Sequence, residues 1–373
     1  RYFIFIYNKI VKFFNYFIIK ENVMEKKSKN IWKKAALAVL AIIIIALIIL
    51  WSLFGNLVRT LNSIERIGDT QLFTMDFKGD YGFDEFLETG ASTDNELVSF
   101  IVGQLLHGIP LNFNLPDLGC STFAAETPDG ERIFGRNFDM YYSPALFVRT
   151  EPDNGYKSIS MVNLAYIGYS EDKLPLDMKS SFLTLASPYT PLDGINEKGL
   201  AAGVLQIDTE PTNQQTDKVD ITTTSAIRMI LDKCATVDEA VEMLKNYDMH
   251  ASANSCYHFQ ISDASGKSVV VEYIDNEMSV LDESVATNFL LTPGDYDFGG
   301  GQDRYDIIVR MLAETDGVIT EEGAMDILEA AKQEPKPEKR SSTQWSCVYN
   351  LTEQTVDISV GMDYDNIYKF SLN

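Results

Sequence analysis

The 373-residue sequence predicts an α+β fold in which antiparallel sheets and helices form separate layers. Short apolar stretches occur in pairs joined by turn residues, which is typical of β-hairpins. Two pairs of amphipathic helices interrupt these runs, whereas a βαβ repeat would alternate single strands with single helices. One uncharged run, residues 35–54, precedes them all and predicts a membrane-spanning helix outside this fold.

A β-hairpin with a cysteine at its outer end opens the globular part of the sequence. Residues 121–126 are predicted as one strand and residues 132–137 as the return strand. Between them, Pro128 and Gly130 favour a tight turn, because proline fixes φ and glycine tolerates φ > 0. Since a hairpin brings its ends together, the residues at its open end are expected to lie in one small volume.

Apolar periodicity and capping residues predict the remaining elements. Residues 193–200 are predicted as a turn that leads into a small, apolar strand. The further strands are predicted over residues 158–163, 181–186, 201–207, 257–262, 268–274, 278–281, 343–350, 355–360 and 367–372. The helices are predicted over residues 223–233, 240–246, 303–312 and 321–331.

The uncharged run, residues 35–54, matches the thickness of a bilayer, because twenty residues at about 1.5 Å each span about 30 Å. Lysines crowd the segment before it, residues 24–34, and predict a cytoplasmic N-terminus with everything after residue 54 outside the cytoplasm. A cleaved signal peptide is the alternative, but the run is long for one and no small-residue cleavage site follows it. We expect a single-pass anchor.

Two segments flank this helix. Lysines and asparagines interrupt residues 1–23 too often for a membrane span, so we interpret them as upstream sequence that is not native, with Met24 as the start. A basic amphipathic segment on a membrane surface is the alternative. Residues 55–119 are predicted as a linker or a mostly helical pro-segment, with helical spacing over residues 57–67.

Charge and composition exclude several classes of function. Residues 1–34 hold 9 Lys and Arg against 2 Asp and Glu, while the rest of the chain holds 22 against 52. Such an acidic body does not suit a polyanion, so no nucleic-acid partner is expected. The four cysteines follow neither a zinc-ligand spacing nor a disulfide framework, and nucleotide-binding motifs are absent from the sequence. We expect no metal and no cofactor.

Two routes could make Cys120 a nucleophile. The first uses a histidine base, as in a Cys–His protease, with His107, His250 and His258 as the candidates. In the second, a cut between Gly119 and Cys120 frees an α-amine, whose ordinary pKa is about 8, to act as the base. The second route needs an acceptor for the ammonium group and a cation near the sulfur. Those two groups are available at the open end of the hairpin, as Asp139 and Arg136.

Several motifs in fixed order carry a family resemblance. The hairpin contains Cys-Ser-Thr-Phe, Asp-Gly and Gly-Arg-Asn-Phe-Asp, with arginine and aspartate 16 and 19 residues after the cysteine. Asp-Gly-Ile-Asn-Glu-Lys-Gly-Leu at residues 193–200, Thr-Asn-Phe at 287–289, Asp-Arg-Tyr at 303–305 and Trp-Ser-Cys-Val-Tyr-Asn at 345–350 follow. Residues 120–373 thereby resemble the choloylglycine hydrolase family of N-terminal-nucleophile (Ntn) hydrolases, which is related to acid ceramidase.

The resemblance implies a four-layer αββα sandwich and a set of catalytic roles. Cys120 would be the nucleophile, with Arg136 beside its sulfur and Asp139 holding its α-amine. Asn288 would donate to the oxyanion of the tetrahedral intermediate, and Arg304 would be the late active-site arginine. An attacked amide would give a thioester, which water then hydrolyses.

The sequence also departs from the family pattern. Gln206 stands where bile salt hydrolases have a second asparagine, ten residues after Asn196, so both are candidate oxyanion or substrate residues. Only fifteen residues separate Asn288 from Arg304, too few for the long assembly hairpin of tetrameric members, so a tetramer is not expected. The long leader resembles the plan of acid ceramidase, in which self-cleavage frees the cysteine.

The sequence therefore predicts a membrane-anchored cysteine Ntn amidohydrolase. Its partners would be the membrane, through residues 35–54, and a small-molecule N-acyl amide such as a conjugated bile acid, an N-acyl amino acid or amine, an acyl-homoserine lactone or penicillin V. A catalytically inactive hydrolase fold that serves as an anchored binding module is the main alternative, and a Cys-dependent protease is another.

Overall fold

The computed structural model describes residues 8–9, 11–12, 29–106, 108–111, 113, 119–335 and 341–372. The chain divides into two compact units, Arg1–Asn56 and Leu57–Asn373, and each is described by itself. The predicted upstream sequence, residues 1–23, and basic segment, residues 24–34, lie mostly outside the described residues.

A long apolar helix, α1 (Lys29–Asn62), supplies most of the described part of the first unit. Within it, the 21 residues Trp32–Ser52 have a mean hydropathy of 3.0, and none of them is buried. Among the described residues, this is the one helix that is long and apolar enough to cross a membrane. By length and composition it agrees with the span predicted over residues 35–54.

Strands dominate the second unit, as far as the structure describes it. They are β1 (Glu65–Arg66), β2 (Leu72–Asp76), β3 (Gly119–Glu126), β4 (Arg132–Met140), β5 (Ala145–Thr150), β6 (Ser158–Asn163), β7 (Pro191–Asn196), β8 (Leu200–Ile207), β9 (Val219–Thr222), β10 (Tyr247–His250), β11 (Cys256–Asp263), β12 (Ser268–Ile274), β13 (Glu277–Leu281), β14 (Val285–Ala286), β15 (Ser342–Asn350), β16 (Thr355–Val360) and β17 (Tyr368–Ser371).

These strands form two large sheets and one small one in the described part of the chain. The nine-stranded sheet has the order β1-β2-β5-β6-β7-β8-β11-β12-β13, and the six-stranded sheet has the order β14-β3-β4-β15-β16-β17. Strands β9 and β10 pair in parallel as a separate ribbon. Apart from a parallel β2–β5 pair, the two large sheets are antiparallel, as the hairpin runs predict.

Six further α-helices occur in the described part of this unit, and the last four of them cover the outer faces of the two large sheets. The six helices are α2 (Phe83–Thr89), α3 (Asp94–Gln104), α4 (Thr223–Lys233), α5 (Val237–Lys245), α6 (Gln302–Ala313) and α7 (Glu321–Ala330). Helices α4 and α5 pack on β7, β8 and β11, whereas α6 and α7 pack on β3, β4 and β15. Strand β3 contacts β8 and β11 of the other sheet, so the layers run helix, sheet, sheet, helix. The predicted α+β class is confirmed.

The two sheets approach each other closely around Gly203 on β8. A Cβ atom added there would lie 3.4 Å from the side chains of Thr122 and Phe134 and 3.5 Å from Cδ of Arg136. The inner face of the β3–β4 hairpin is thus buried against the nine-stranded sheet.

The segment before the hairpin belongs to this second unit and is only partly helical. Helix α1 ends at Asn62, short of the helix predicted over residues 57–67, and β2 then pairs in parallel with β5. Leu97 and Ile101 of α3 are buried in the core, and the hydroxyl of Tyr81 donates to Asp232 at 2.6 Å. The segment is therefore built into the fold and is not a free stalk.

Two further sequence predictions in this unit are wrong. Residues 181–186 form part of a 3-10 helix, Ser180–Tyr189, in which the Thr184 hydroxyl donates to the carbonyl of Ser181, a local bond that competes with strand pairing. The stretch predicted as a turn over residues 193–200 is the end of β7, a tight turn and the first residue of β8. Here a buried aspartate suggested a turn, although tertiary partners hold it inside a sheet.

Candidate active site

The β3–β4 hairpin sets the positions of three predicted site residues. Gly119 pairs with Asp139 across the hairpin, and Thr122 pairs with Arg136. Alternate residues of a strand share a face, so Cys120 points to the same side as Thr122 and Arg136, towards the nine-stranded sheet. Cys120, Arg136 and Asp139 are all completely buried.

Strand β14 brings Asn288 next to Cys120. Ala286 pairs with Thr122 on the edge of β3 that faces away from β4. If this antiparallel register is continued by two residues, Asn288 lies opposite Cys120. The backbone N–H of Cys120 donates to Oδ1 of Asn288 at 2.7 Å. In turn, Nδ2 of Asn288 donates to the carbonyl of Gln206 at 2.8 Å, which leaves its second proton available.

Arg304, in the first turn of α6, joins these groups. Its Nη1 donates to the carbonyl oxygen of Cys120 at 2.6 Å and to Oδ2 of Asp139 at 2.8 Å, and its Nη2 donates to Oδ1 of Asn288 at 2.7 Å. The hydroxyl of Thr343 donates to the other carboxylate oxygen of Asp139 at 2.6 Å. In this uncut chain the nitrogen of Cys120 is held by Asn288, and the carboxylate of Asp139 is held by Arg304 and Thr343.

Arg136 forms a buried ion pair that the sequence analysis missed. Its Nε lies 3.1 Å from Oδ2 of Asp193, and neither side chain has any exposed surface. Nη1 donates to the carbonyl of Val204 at 2.6 Å, and the hydroxyl of Tyr349 donates to Asp193 at 2.5 Å. A lone carboxylate inside an apolar strand could have indicated this pair, because a buried charge needs a partner.

The burial of Cys120 controls its ionisation. Loss of water around the thiol is the largest influence and raises its pKa. The positive charges of Arg136 and Arg304 lower this pKa, and the negative charge of Asp139 raises it. The resulting pKa is about 11. At neutral pH the thiol of the uncut chain is therefore protonated. With the Gly119–Cys120 peptide bond intact, Cys120 has no α-amine that could take its proton.

Gly119 is tightly packed against the side chains of Asp139 and Gln333. A Cβ atom on it would lie 3.1 Å from Cβ of Asp139 and 3.0 Å from Oε1 of Gln333. A side chain at this position would have to displace its neighbours. The residue before Cys120 is thus packed into the site itself.

A cleft of about 1140 Å³ opens beside this network. Gln206, Asn288 and Arg304 line it, together with Gly299, Gly300 and Gly301 from the loop that pairs with Asn288. Cys120 does not reach its surface, since it has no exposed area in the uncut chain.

The structure separates the two remaining candidates, Gln206 and Asn196. Gln206 lines the cleft, its carbonyl accepts from Asn288, and its Nε2 donates to the hydroxyl of Ser255 at 2.7 Å. Asn196 instead lies at the β7–β8 turn, completely buried. Its side chain bonds to the backbone of Lys198, Leu200, Leu231 and Cys234. Asn196 holds a turn and the end of α4, so we leave it out of the site.

The other cysteines and histidines have partners elsewhere. His258 bonds to Glu272 and to the carbonyl of Thr287, and His250 bonds to Asp220, while His107 lies outside the described residues. The remaining free cysteines are buried: Cys234, Cys256 and Cys347. Within the described ranges, no group of histidine, cysteine or carboxylate side chains could hold a metal ion.

The sequence of this chain is similar to those of known amide hydrolases. Residues 120–296 match the model of the linear amide C–N hydrolases of the choloylglycine hydrolase family. A bile salt hydrolase/transferase of Clostridium perfringens is 31% identical over 179 residues, which are 44% of this chain and 51% of that protein. Penicillin V acylase of Pectobacterium atrosepticum is 34% identical over 102 residues, 24% of this chain and 26% of that one. The chain thus spans about half the length of the first of these curated relatives and about a quarter of the second.

Among solved structures, a variant of conjugated bile acid hydrolase from Clostridium perfringens superposes with a TM-score of 0.51 at 20% identity, covering 68% of this chain and 93% of that one. At this identity the likeness shows the fold, which is that of the Ntn hydrolases. Residues 120–296, which hold Cys120, Arg136, Asp139 and Asn288, match the family in sequence as well. Through residues 120–296, the chain belongs to the choloylglycine hydrolase family of linear amide C–N hydrolases.

Proposed function

We propose that this protein is a cysteine Ntn amidohydrolase that cleaves the amide bond of an N-acyl compound after a cut before Cys120. One observation carries the proposal: Asn288, Arg304 and Asp139 form a single hydrogen-bonded network around the Gly119–Cys120 peptide. Burying charged and amide groups costs free energy unless they are paired, and these groups pair with one another around a single peptide bond, which holds that bond rigidly.

The first step in this proposal is the cut itself. The thiol of Cys120 gives up its proton, its sulfur attacks the carbonyl carbon of Gly119, the C–N bond breaks, and the nitrogen takes up one proton and leaves as the free α-amine. Water then hydrolyses the thioester, giving a carboxylate on Gly119 and a free thiol on Cys120. The close packing of Gly119 against Asp139 and Gln333 supports this step, because it holds the carbonyl in place.

The second step is substrate hydrolysis. The α-amine of Cys120 takes the thiol proton, and the thiolate attacks the substrate carbonyl. Asn288 keeps the nitrogen in place through Oδ1, and the second proton of its Nδ2 donates to the oxyanion. The ammonium then protonates the leaving amine, a thioester forms, and water releases the acid. Arg304 adds a positive charge beside the amine, which favours the neutral, basic form of that amine.

The substrate class follows from the chemistry and from the relatives. The family acts on linear amide C–N bonds, and the matched relatives are named as a bile salt hydrolase/transferase and a penicillin V acylase. We propose a small N-acyl amide of the bile-salt, N-acyl amino acid or amine, acyl-homoserine lactone or penicillin V type. The cleft of about 1140 Å³ is large enough for any of these.

Anchoring to a membrane completes the proposal. The exposed apolar helix Trp32–Ser52 would span the bilayer, with residues 24–34 in the cytoplasm and residues 120–373 outside it. A cut before Cys120 would break the covalent link to this helix. Strand β2 and the buried face of α3 would then keep residues 57–119 bound to the catalytic domain.

A hydrolysis screen tests the proposed function. The full chain in detergent is incubated with each candidate amide, and the released amine is measured. We expect Cys120-dependent turnover, with Cys120→Ala inactive and Cys234→Ala, a buried cysteine outside the site, retaining activity. If no amide is turned over, the chain is instead an inactive binding module. If Cys120→Ala is as active as the parent, Cys120 is not the nucleophile and the proposed mechanism is refuted.

A further inference from the structure

We propose that a buried pair, His258 and Glu272, is a positioning device that holds Asn288 in line with Cys120. This inference rests on the amidase function proposed above. Neither residue touches Cys120 or lines the cleft, so each would act only through the segment that carries Asn288.

The pair lies on two adjacent strands of the nine-stranded sheet. Phe259 of β11 pairs with Val271 of β12, so His258 and Glu272 are the next residues across the same ladder. Nδ1 of His258 lies 3.2 Å from Oε1 of Glu272, and both side chains are completely buried. Buried polar groups of this kind need hydrogen-bond partners, and the partners of His258 and Glu272 are backbone groups of a single segment.

That segment is residues 287–292, directly after β14, and the pair forms hydrogen bonds to its backbone on both sides of Asn288. Before it, the ring Nε2 of His258 contacts the carbonyl oxygen of Thr287 at 2.6 Å. After it, the backbone N–H of Leu291 donates to Oε1 of Glu272 at 2.7 Å, and the N–H of Thr292 donates to Oε2 at 3.0 Å. One buried acid–imidazole unit therefore fixes both flanks of the asparagine.

This contact also ties the two sheets together at the site. Thr287 follows β14 of the six-stranded sheet, whereas His258 belongs to the nine-stranded sheet. Asn288 must reach the Cys120 nitrogen in one sheet and the Gln206 carbonyl in the other, so its reach depends on the spacing between them. A displacement of about 1 Å at such a group can cost about 100-fold in rate.

The charges of the pair agree with this role. Burial acts to raise the pKa of the Glu272 carboxyl, but the hydrogen bonds from His258, Leu291 and Thr292 outweigh it, and the pKa lies below its ordinary value. An ionised Glu272 can accept all three donors. A glutamine at this position has one NH₂ group, and in either orientation that group would face a donor.

The test compares His258→Gln and Glu272→Gln with a matched control in the full chain. The control is His250→Gln, because His250 forms a similar His–acid contact with Asp220, 3.0 Å, on the separate β9–β10 ribbon. We expect kcat to fall about 10- to 100-fold in the first two variants with KM changed less than about threefold, and the control to match the parent.

Two further measurements separate positioning from general loss of stability. In an Asn288→Ala background, His258→Gln should lower kcat by less than about twofold, because its effect passes through the missing amide. An equal loss in both backgrounds would overturn the proposal. Amide hydrogen exchange over residues 285–292 should rise in His258→Gln and Glu272→Gln but not in His250→Gln. Unchanged hydrogen exchange in these two variants would overturn the positioning proposal, whether or not the chain hydrolyses an amide. A chain that hydrolyses no amide would by itself refute only the proposed function.

Discussion

The Arg136–Asp193 pair offers a quantitative prediction for the substitution Asp193→Asn. Both side chains are fully buried, and the change removes the negative charge beside Arg136. The guanidinium would keep the Val204 carbonyl as its partner, with no anion beside it. Leaving one member of a buried pair uncompensated costs about 3–5 kcal/mol. For a domain of this size, roughly 2 °C per kcal/mol gives a Tm lower by about 6–10 °C.

The assay is thermal unfolding of the full chain in detergent, followed through tryptophan fluorescence, which reports on the buried Trp345. Both proteins carry Cys120→Ala, so that both remain uncut. Asp238→Asn is the control, because it removes the same charge from an exposed pair with Lys267, whose contribution is below about 1 kcal/mol. Equal Tm shifts for the two substitutions would show that the buried pair does not support the fold.

Three other predictions concern the reaction. Asn288→Ala should lower kcat for amide hydrolysis by about 10²–10³ with little change in KM, and steady-state kinetics that show a change in KM alone would contradict the oxyanion role. Because the pKa of Cys120 in the uncut chain is about 11, its thiolate fraction rises about tenfold per pH unit below that value. The rate of the cut, followed on denaturing gels, should rise likewise from pH 7 to 9 while the chain stays folded, and a flat profile would exclude attack by this thiolate. After the cut, residues 57–119 should migrate with the catalytic domain on native gels, since β2 and α3 remain packed, and release of the 120–373 fragment without detergent would contradict this.

Local signals predicted much of the fold. Strands β6, β12 and β16 and helix α4 have the predicted bounds, because strand signals and helical apolar spacing are encoded within a few residues. The short strands β5, β7, β9 and β10 were not predicted as strands. Strands β9 and β10 pair with each other across two intervening helices. Besides the adjacent β6, β5 pairs with β2, which ends 69 residues before Ala145.

The motifs predicted the residues of the site but not the hydrogen bonds between them. The motifs identified Cys120, Asn288 and Arg304, which the structure brings within hydrogen-bond distance of one another. The sequence could not indicate that Asn288 holds the Cys120 nitrogen, because that contact joins positions 168 residues apart. Asp193 was missed for the same reason, since its partner Arg136 lies 57 residues away on another sheet.

The most direct test of the account is the N-terminus of the mature protein. The full chain is expressed in a cell membrane, purified, and analysed by intact mass and N-terminal sequencing. The account predicts a fragment that begins at Cys120, its absence in Cys120→Ala, and its presence in Cys347→Ala, which changes another buried thiol. A fully active protein that retains the Gly119–Cys120 bond would contradict the account, because Cys120 would then have no α-amine to act as its base.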